Sequence, residues 1–122
     1  MKTQTFPWNA RMIDSVARRF RVLGEPQRLR ILQMLEKAPK NVNDVAQGLG
    51  ASQPNVSRHL QALFEAGLIT RRRSGTSTVY SVSDPLVFRL CGLVCDSLVE
   101  RARADLEEIA MAGSVPAAKG SN

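Results

Sequence analysis

The sequence predicts an α+β fold that is mostly helical, with a run of short helices, one β-hairpin and a long terminal helix. Three observations predict it. Apolar residues recur at helical spacing through most of the first 66 positions. Two strand-like segments, 68–73 and 78–82, flank a Ser-Gly-Thr-Ser tip. A last apolar seam, Phe88, Cys91, Cys95, Leu98 and Ala102, follows the 3-4-3-4 spacing of a coiled coil.

The bulk numbers bound the problem. The chain has 122 residues, enough for one domain with one modest core. Hydrophobic residues make up 43% and charged residues 23%, an ordinary globular balance. The formal net charge is +6 and the pI is near 10.2, which favours a polyanionic partner. Nucleic acid comes first and an anionic membrane surface second. Arg89 interrupts the best apolar run, Leu86 to Val94, so no membrane span is expected. Lys2 has no apolar run behind it, so no signal peptide is read, and a cytoplasmic protein is expected. Two cysteines do not make a secreted disulfide framework. No glycine-rich phosphate loop, paired His/carboxylate cluster or nucleophile motif points to an enzyme.

Residues 1–9 read as an arm, 10–111 as the folded domain and 112–122 as a disordered tail. Trp8 on the arm needs a cover, either its own domain or a partner subunit. Ala10 to Leu23 is a helix with Ile13, Val16, Ala17 and Phe20 in one stripe. Its Arg18, Arg19 and Arg21 point elsewhere, to solvent or to phosphate. Gly24-Glu25-Pro26 starts a second helix that runs to about Ala38, with Leu29, Leu32 and Leu35 on its core side. Asn43 is a plausible cap for a short third helix with Val45 and Leu49 inward.

A tight turn, Leu49-Gly50-Ala51-Ser52, leads into the fourth helix. Ser52 is its N-cap, Pro54 falls in its first turn and Gly67 stops it. Val56, Leu60 and Leu63 form its apolar stripe, while Gln53, Asn55, Ser57, Arg58 and Gln61 take the other directions. That polar set hydrogen-bonds well yet carries one full charge. It suits base edges and phosphates in a DNA major groove better than plain solvent. Helix, tight turn and polar-faced helix make a helix-turn-helix, and the hairpin after it is a wing. The expected architecture is therefore a winged helix-turn-helix with a terminal dimerisation helix, entered by Ser83-Asp84-Pro85 as its cap and running to about Met111. Expected interface residues are Ile13, Phe88, Cys91, Cys95, Leu98 and Ala102.

Candidate DNA contacts follow. Gln53, Asn55 and Arg58 share base reading, with Ser52 and Ser57 beside them. His59 joins this set if it bonds a phosphate; the other reading packs it against a neighbouring helix. Arg71, Arg72, Arg73, Gly75 and Thr76 on the wing are expected to grip backbone or to enter a minor groove. The arginines also blunt an exposed sheet edge. The competing class is a protein- or RNA-binding adaptor, which needs no base-reading face.

With these pieces in place, the chain resembles the ArsR family of bacterial winged-helix repressors. Three stretches carry the likeness: Leu23-Gly24-Glu25-Pro26-Gln27-Arg28-Leu29-Arg30-Ile31-Leu32; Ser52-Gln53-Pro54-Asn55-Val56-Ser57-Arg58-His59-Leu60 with Leu63 and Ala66-Gly67-Leu68-Ile69; and Arg73-Ser74-Gly75-Thr76 with Val79-Tyr80. The resemblance implies a homodimer that binds a double-stranded, near-palindromic operator and represses until an inducer loosens it. It also implies metal sites that this sequence lacks. Val42-Asn43-Asp44-Val45-Ala46, before the recognition helix, has no Cys, and the terminal helix has no His.

Cys91 and Cys95 remain. One helical turn apart, their Cβ atoms are roughly 6 Å from each other. That suits two thiolates sharing a thiophilic ion such as arsenite or mercury. It does not suit an intrachain disulfide, which needs about 4 Å. Two copies of the seam would gather four thiols, and an intersubunit disulfide would be the redox variant. The alternative is plain packing, because free Cys is a small hydrophobe. The regulator is then constitutive or controlled by another ligand.

Overall fold

The computed structural model describes residues 8–113. The expectations for arm residues 1–7 and tail residues 114–122 lie outside the described residues. The chain divides between Asp84 and Pro85 into two compact units.

The first unit opens with α1, Ala10–Leu23, where the Asn9 side chain accepts from the Met12 amide at 2.8 Å. In α2, Pro26–Lys37, the Glu25 carboxylate accepts from the Gln27 amide at 2.8 Å and Pro26 sits in the first turn. A two-residue strand, β1 (Lys40–Asn41), precedes α3 (Val42–Leu49) and α4 (Gln53–Glu65). The hairpin is β2 (Ile69–Ser74) and β3 (Ser77–Val82), closed by the Ser74–Ser77 pair. The antiparallel sheet runs β1-β3-β2, with Lys40 opposite Tyr80 and Ile69 opposite Val82. Ile31, Leu32, Leu35, Val45, Val56, Leu60, Leu63, Leu68 and Ile69 form the core. Each contributes about 1.5–3 kcal/mol relative to leaving it exposed. The architecture is the expected winged helix-turn-helix.

Four details differ from the sequence reading. The cap of α3 is Asn41, whose side chain accepts from the Asp44 amide at 2.8 Å, and Asn43 lies inside the helix. Pairing Lys40 and Asn41 with β3 extends the chain up to the cap, so the helix begins two residues early. Leu29 is 40% exposed, while Ile31, Leu32 and Leu35 are buried. Spacing of three drifts about 60° per step around a helix, which carries Leu29 about 120° from Leu35. In α1, Ile13 and Phe20 of the expected stripe are also exposed, and only Leu23 of that helix is buried. Finally, the N-cap position of the last helix falls on Pro85, and Ser83 is turned to the first unit. The Ser83 hydroxyl donates to the Gly67 carbonyl at 2.9 Å, Asp84 pairs with Arg19, and Pro85 takes the cap position without a side-chain bond.

The second unit is α5, Leu86–Met111. Its 26 residues make a rod about 39 Å long. Val87 is buried, Phe88 and Cys91 are half-buried, and Cys95, Leu98 and Ala102 are exposed. Leu93, Val94, Val99, Leu106 and Ile109 are exposed as well. So much apolar surface on one rod marks an interaction face. Among the described residues, no helix is long and apolar enough to cross a membrane.

Candidate nucleic-acid interface

The turn between α3 and α4 is set by Gly50, which ends α3 at φ +66° with its N–H returned to the helix. The Ala51 amide donates to the Ala46 carbonyl at 3.1 Å. Ser52 then starts α4, its oxygen accepting from the Asn55 amide at 3.3 Å. A left-handed residue, one linking residue and an N-cap reverse the chain in three positions, and α3 and α4 pack together on the core.

α4 carries two interleaved sets at i, i+3, i+4, i+7. Val56, His59, Leu60 and Leu63 are buried. Pro54, Ser57, Arg58 and Gln61, displaced by two residues and so by about 200°, face away from them and are exposed. Gln53 and Asn55 flank that outer stripe. The Gln53 amide nitrogen donates to Asn43 Oδ1 on α3, and Arg58 Nη2 donates to Asn55 Oδ1. These bonds leave Gln53 an acceptor oxygen, Asn55 two amide donors, and Arg58 the rest of its guanidinium fork. Donors of that kind match the O6 and N7 of guanine, and the acceptor matches an exocyclic amine. The Ser52 and Ser57 hydroxyls lie on the same exposed surface.

His59 does not belong to that surface. It is 9% exposed, and its Nδ1 accepts from Arg28 Nε at 3.1 Å. Arg28 also donates to the Val22 carbonyl at 3.3 Å, and Glu25 lies 4.0 Å from His59 Nε2. Burial lowers the His59 pKa; Glu25 opposes this, and the Arg28 and Arg58 charges add to it. A neutral ring offering Nδ1 as an acceptor is what the Arg28 bond requires. Of the two readings of His59, this geometry favours packing over a phosphate contact: the ring joins the middle of the recognition helix to the start of α2. The signal was present, because 56, 59, 60 and 63 already form a full helical stripe.

On the wing, Gly75 stands at φ +66° at the exposed tip beside Thr76. Arg72 and Arg73 are exposed, with no side-chain hydrogen bond or ion pair among the described residues. Arg71 differs. Its guanidinium lies 3.9 Å over the Phe64 ring and donates to Gln61 Oε1 at 3.2 Å, both on α4. Phe64 was not among the expected site residues, and Gln61 was read only as part of the polar face of α4. Arg19, read as solvent- or phosphate-facing, donates to the Ala66 carbonyl at 2.7 Å and so holds the last turn of α4.

Cys91 and Cys95 are free thiols on α5. No group of three or more His, Cys, Asp or Glu able to hold a metal occurs among the described residues.

Known proteins with this arrangement are regulators. Residues 25–71 match the family model for bacterial regulatory proteins of the arsR family. The chain is 40% identical over 74 residues to a probable mercury resistance operon repressor from Streptomyces lividans, covering 61% of this chain and 59% of that protein. It is 37% identical over 84 residues to the HTH-type transcriptional regulator NmtR of Mycobacterium tuberculosis, covering 69% of this chain and 70% of that protein. The solved homodimeric winged helix-turn-helix DNA-binding domain from Mycobacterium bovis superposes with a TM-score of 0.68 at 34% identity, over 82% of this chain and 92% of that one. These relatives are transcriptional regulators and not enzymes. The chain belongs to the arsR family of bacterial regulatory proteins.

Proposed function

We infer that the chain is a homodimeric, sequence-specific DNA-binding repressor, released from its operator by an inducer. The observation that carries this reading is the division of α4: its apolar side is spent on the core, and its Gln, Ser and Arg side is left exposed with half-buried Asn55 beside it. A net charge of +6 supplies the attraction to phosphate. Gln53, Asn55 and Arg58 read bases, Ser52 and Ser57 support them, and Arg72, Arg73, Gly75 and Thr76 meet the backbone. Residues 10–111 form the DNA-binding and dimerisation domain, with the arm and the 112–122 tail outside it. The seam of α5 and Ile13 on α1 meet a second copy; that the Mycobacterium bovis relative is homodimeric supports the dimer. Two half-sites then lie about one helical turn, or a small multiple, apart. Such a regulator acts where the chromosome is, in the cytoplasm.

The inducer acts at Cys91 and Cys95. The name of the Streptomyces lividans relative, a mercury resistance operon repressor, supports a thiophilic ion. Four thiols from two seams offer soft ligands to arsenite or mercury. A peroxide reaches the same end when two thiols from facing helices join as a disulfide and the peroxide leaves as two waters. The test is a fluorescence-anisotropy titration of the chain's own upstream DNA. It is run reduced, with arsenite, with mercury and after mild oxidation, beside a Cys91→Ser/Cys95→Ser double variant. Release of the wild type alone is expected. Binding that ignores every treatment assigns the cysteines to packing. A second reading then has a place to start: an open groove of about 390 Å³ between α1 and α4, with Arg18, Arg19, Ala62 and Glu65 on its walls.

A further inference from the structure

Of the three consecutive wing arginines, one is built into the protein. Strand pleating puts Ile69, Arg71 and Arg73 on one face of β2 and Thr70 and Arg72 on the other. Ile69 is buried, so its face is the one turned toward the helices. Arg71, next on that face, meets α4. Its guanidinium plane covers the Phe64 ring at 3.9 Å, and one of its Nη groups donates to Gln61 Oε1 at 3.2 Å. Gln61 in turn donates to Glu65 Oε2 at 2.9 Å. The chain guanidinium–amide–carboxylate places opposite charges at its two ends, and each bond polarises the next.

We propose that Arg71 is a positioning residue, a brace that fixes the wing to the recognition helix, and not a phosphate contact. This rests on the DNA-binding reading above. The wing needs such a brace. Its β1 neighbour pairs only with Val79 and Tyr80, and β2 is an edge strand beyond Ile69. Apart from Arg71, the base of the hairpin is tied to the end of α4 by the Gly67–Leu68 turn and its bonds to Ser83. Those ties fix where the wing begins, and β1 holds β3 at the Tyr80 and Val79 rungs, but on the β2 side no other side-chain bond or ring contact beyond Ile69 reaches α4 among the described residues. Arg71 acts two residues further out. It sets the distance between the groove-facing side of α4 and the tip bearing Arg72, Arg73 and Thr76, and hence whether both contact one operator at once.

A planar cation that stacks and forks is not replaced by lysine, whereas a phosphate contact largely is. The intact chain is therefore titrated on its upstream DNA at several salt concentrations as wild type, Arg71→Ala, Arg71→Lys and Arg73→Ala. Both Arg71 variants are expected to lose affinity about five- to tenfold, with the slope of log K against log salt unchanged. Arg73→Ala is expected to lower that slope by about 0.9. Arg71→Lys binding like wild type, or Arg71→Ala lowering the slope as Arg73→Ala does, overturns the proposal. A DNA-free measurement stands beside it. NMR signals of the Arg71 side chain are expected to be ring-current shifted in wild type and to return to ordinary positions in Phe64→Leu. Unshifted signals in wild type overturn the brace. A wild type that does not distinguish its upstream DNA from random DNA overturns the operator reading instead, while the ring-current arm still decides the brace.

Discussion

Replacing His59 by alanine should destabilise the fold without touching the DNA-facing surface. The substitution removes a buried ring and leaves Arg28 Nε, now bonded to it at 3.1 Å, without its acceptor. Losing a hydrogen bond to a charged group costs about 1.5–3 kcal/mol. Arg28 keeps its bond to the Val22 carbonyl and is only half-buried, so the lower half of that range applies. The lost ring packing adds about 1 kcal/mol. A total near 2–3 kcal/mol lowers the melting temperature of a domain this size by about 10–20 °C. The same site fixes a pH dependence. Burial depresses the His59 pKa in the folded chain, so the unfolded chain binds more protons on the acid side of neutrality. The contribution is complete above about pH 6.5, the ordinary histidine value. It is lost as pH falls through the depressed folded value. Thermal melts followed by circular dichroism from about pH 8 to pH 5 read both effects. His59→Asn, whose oxygen can stand near the Nδ1 position, should recover part of the loss at pH 8 and show a flatter pH profile. A His59→Ala protein that melts like wild type but binds DNA weakly would refute this reasoning and return the ring to the phosphate backbone.

Three further outcomes follow from the same geometry. Arg58→Ala should weaken operator binding by about 1–3 kcal/mol and relax sequence preference; an equal loss on operator and random DNA in anisotropy titrations would reduce Arg58 to a phosphate contact. Asn55→Ala, which frees the Arg58 fork from its partner, should cost operator discrimination more than total affinity, and a selection on randomised half-sites reads this directly. Gly50→Ala should destabilise the fold by about 1 kcal/mol in urea melts, because φ +66° disfavours a Cβ even though open space surrounds it. An unchanged midpoint would show that the turn relaxes.

Much of this fold was legible because its signals are local. Ser52, Pro54 and the Val56–Leu60–Leu63 stripe define α4 without reference to any other element. The Ser74–Ser77 tip likewise defines the hairpin. What was not legible depends on partners distant in sequence. β1 is a strand only because Tyr80 and Val79 lie beside Lys40 and Asn41, and no two-residue pattern announces that. Choosing Asn41 over Asn43 as the cap depends on the same pairing. Arg71, Arg72 and Arg73 look alike in sequence. The pleat and the position of Phe64 separate the one that stacks from the two that reach outward. Arg19 read as solvent- or phosphate-facing and Arg28 had no role of its own in the sequence reading, yet they hold the end and the middle of α4 across 47 and 31 residues of chain. The seam on α5 was visible from its spacing, and its exposure accords with a partner that is a second chain.

The central claim is that the exposed side of α4 reads sequence. The most direct measurement is the affinity of the wild-type chain for its own upstream DNA against a scrambled duplex of equal length, at rising salt. Phosphate attraction fades for both duplexes alike as salt rises, while base contacts persist. Retention of the upstream duplex at a salt concentration that releases the scrambled one is the expected result. Parallel loss of both would contradict the account and leave a basic winged-helix module with no operator to read.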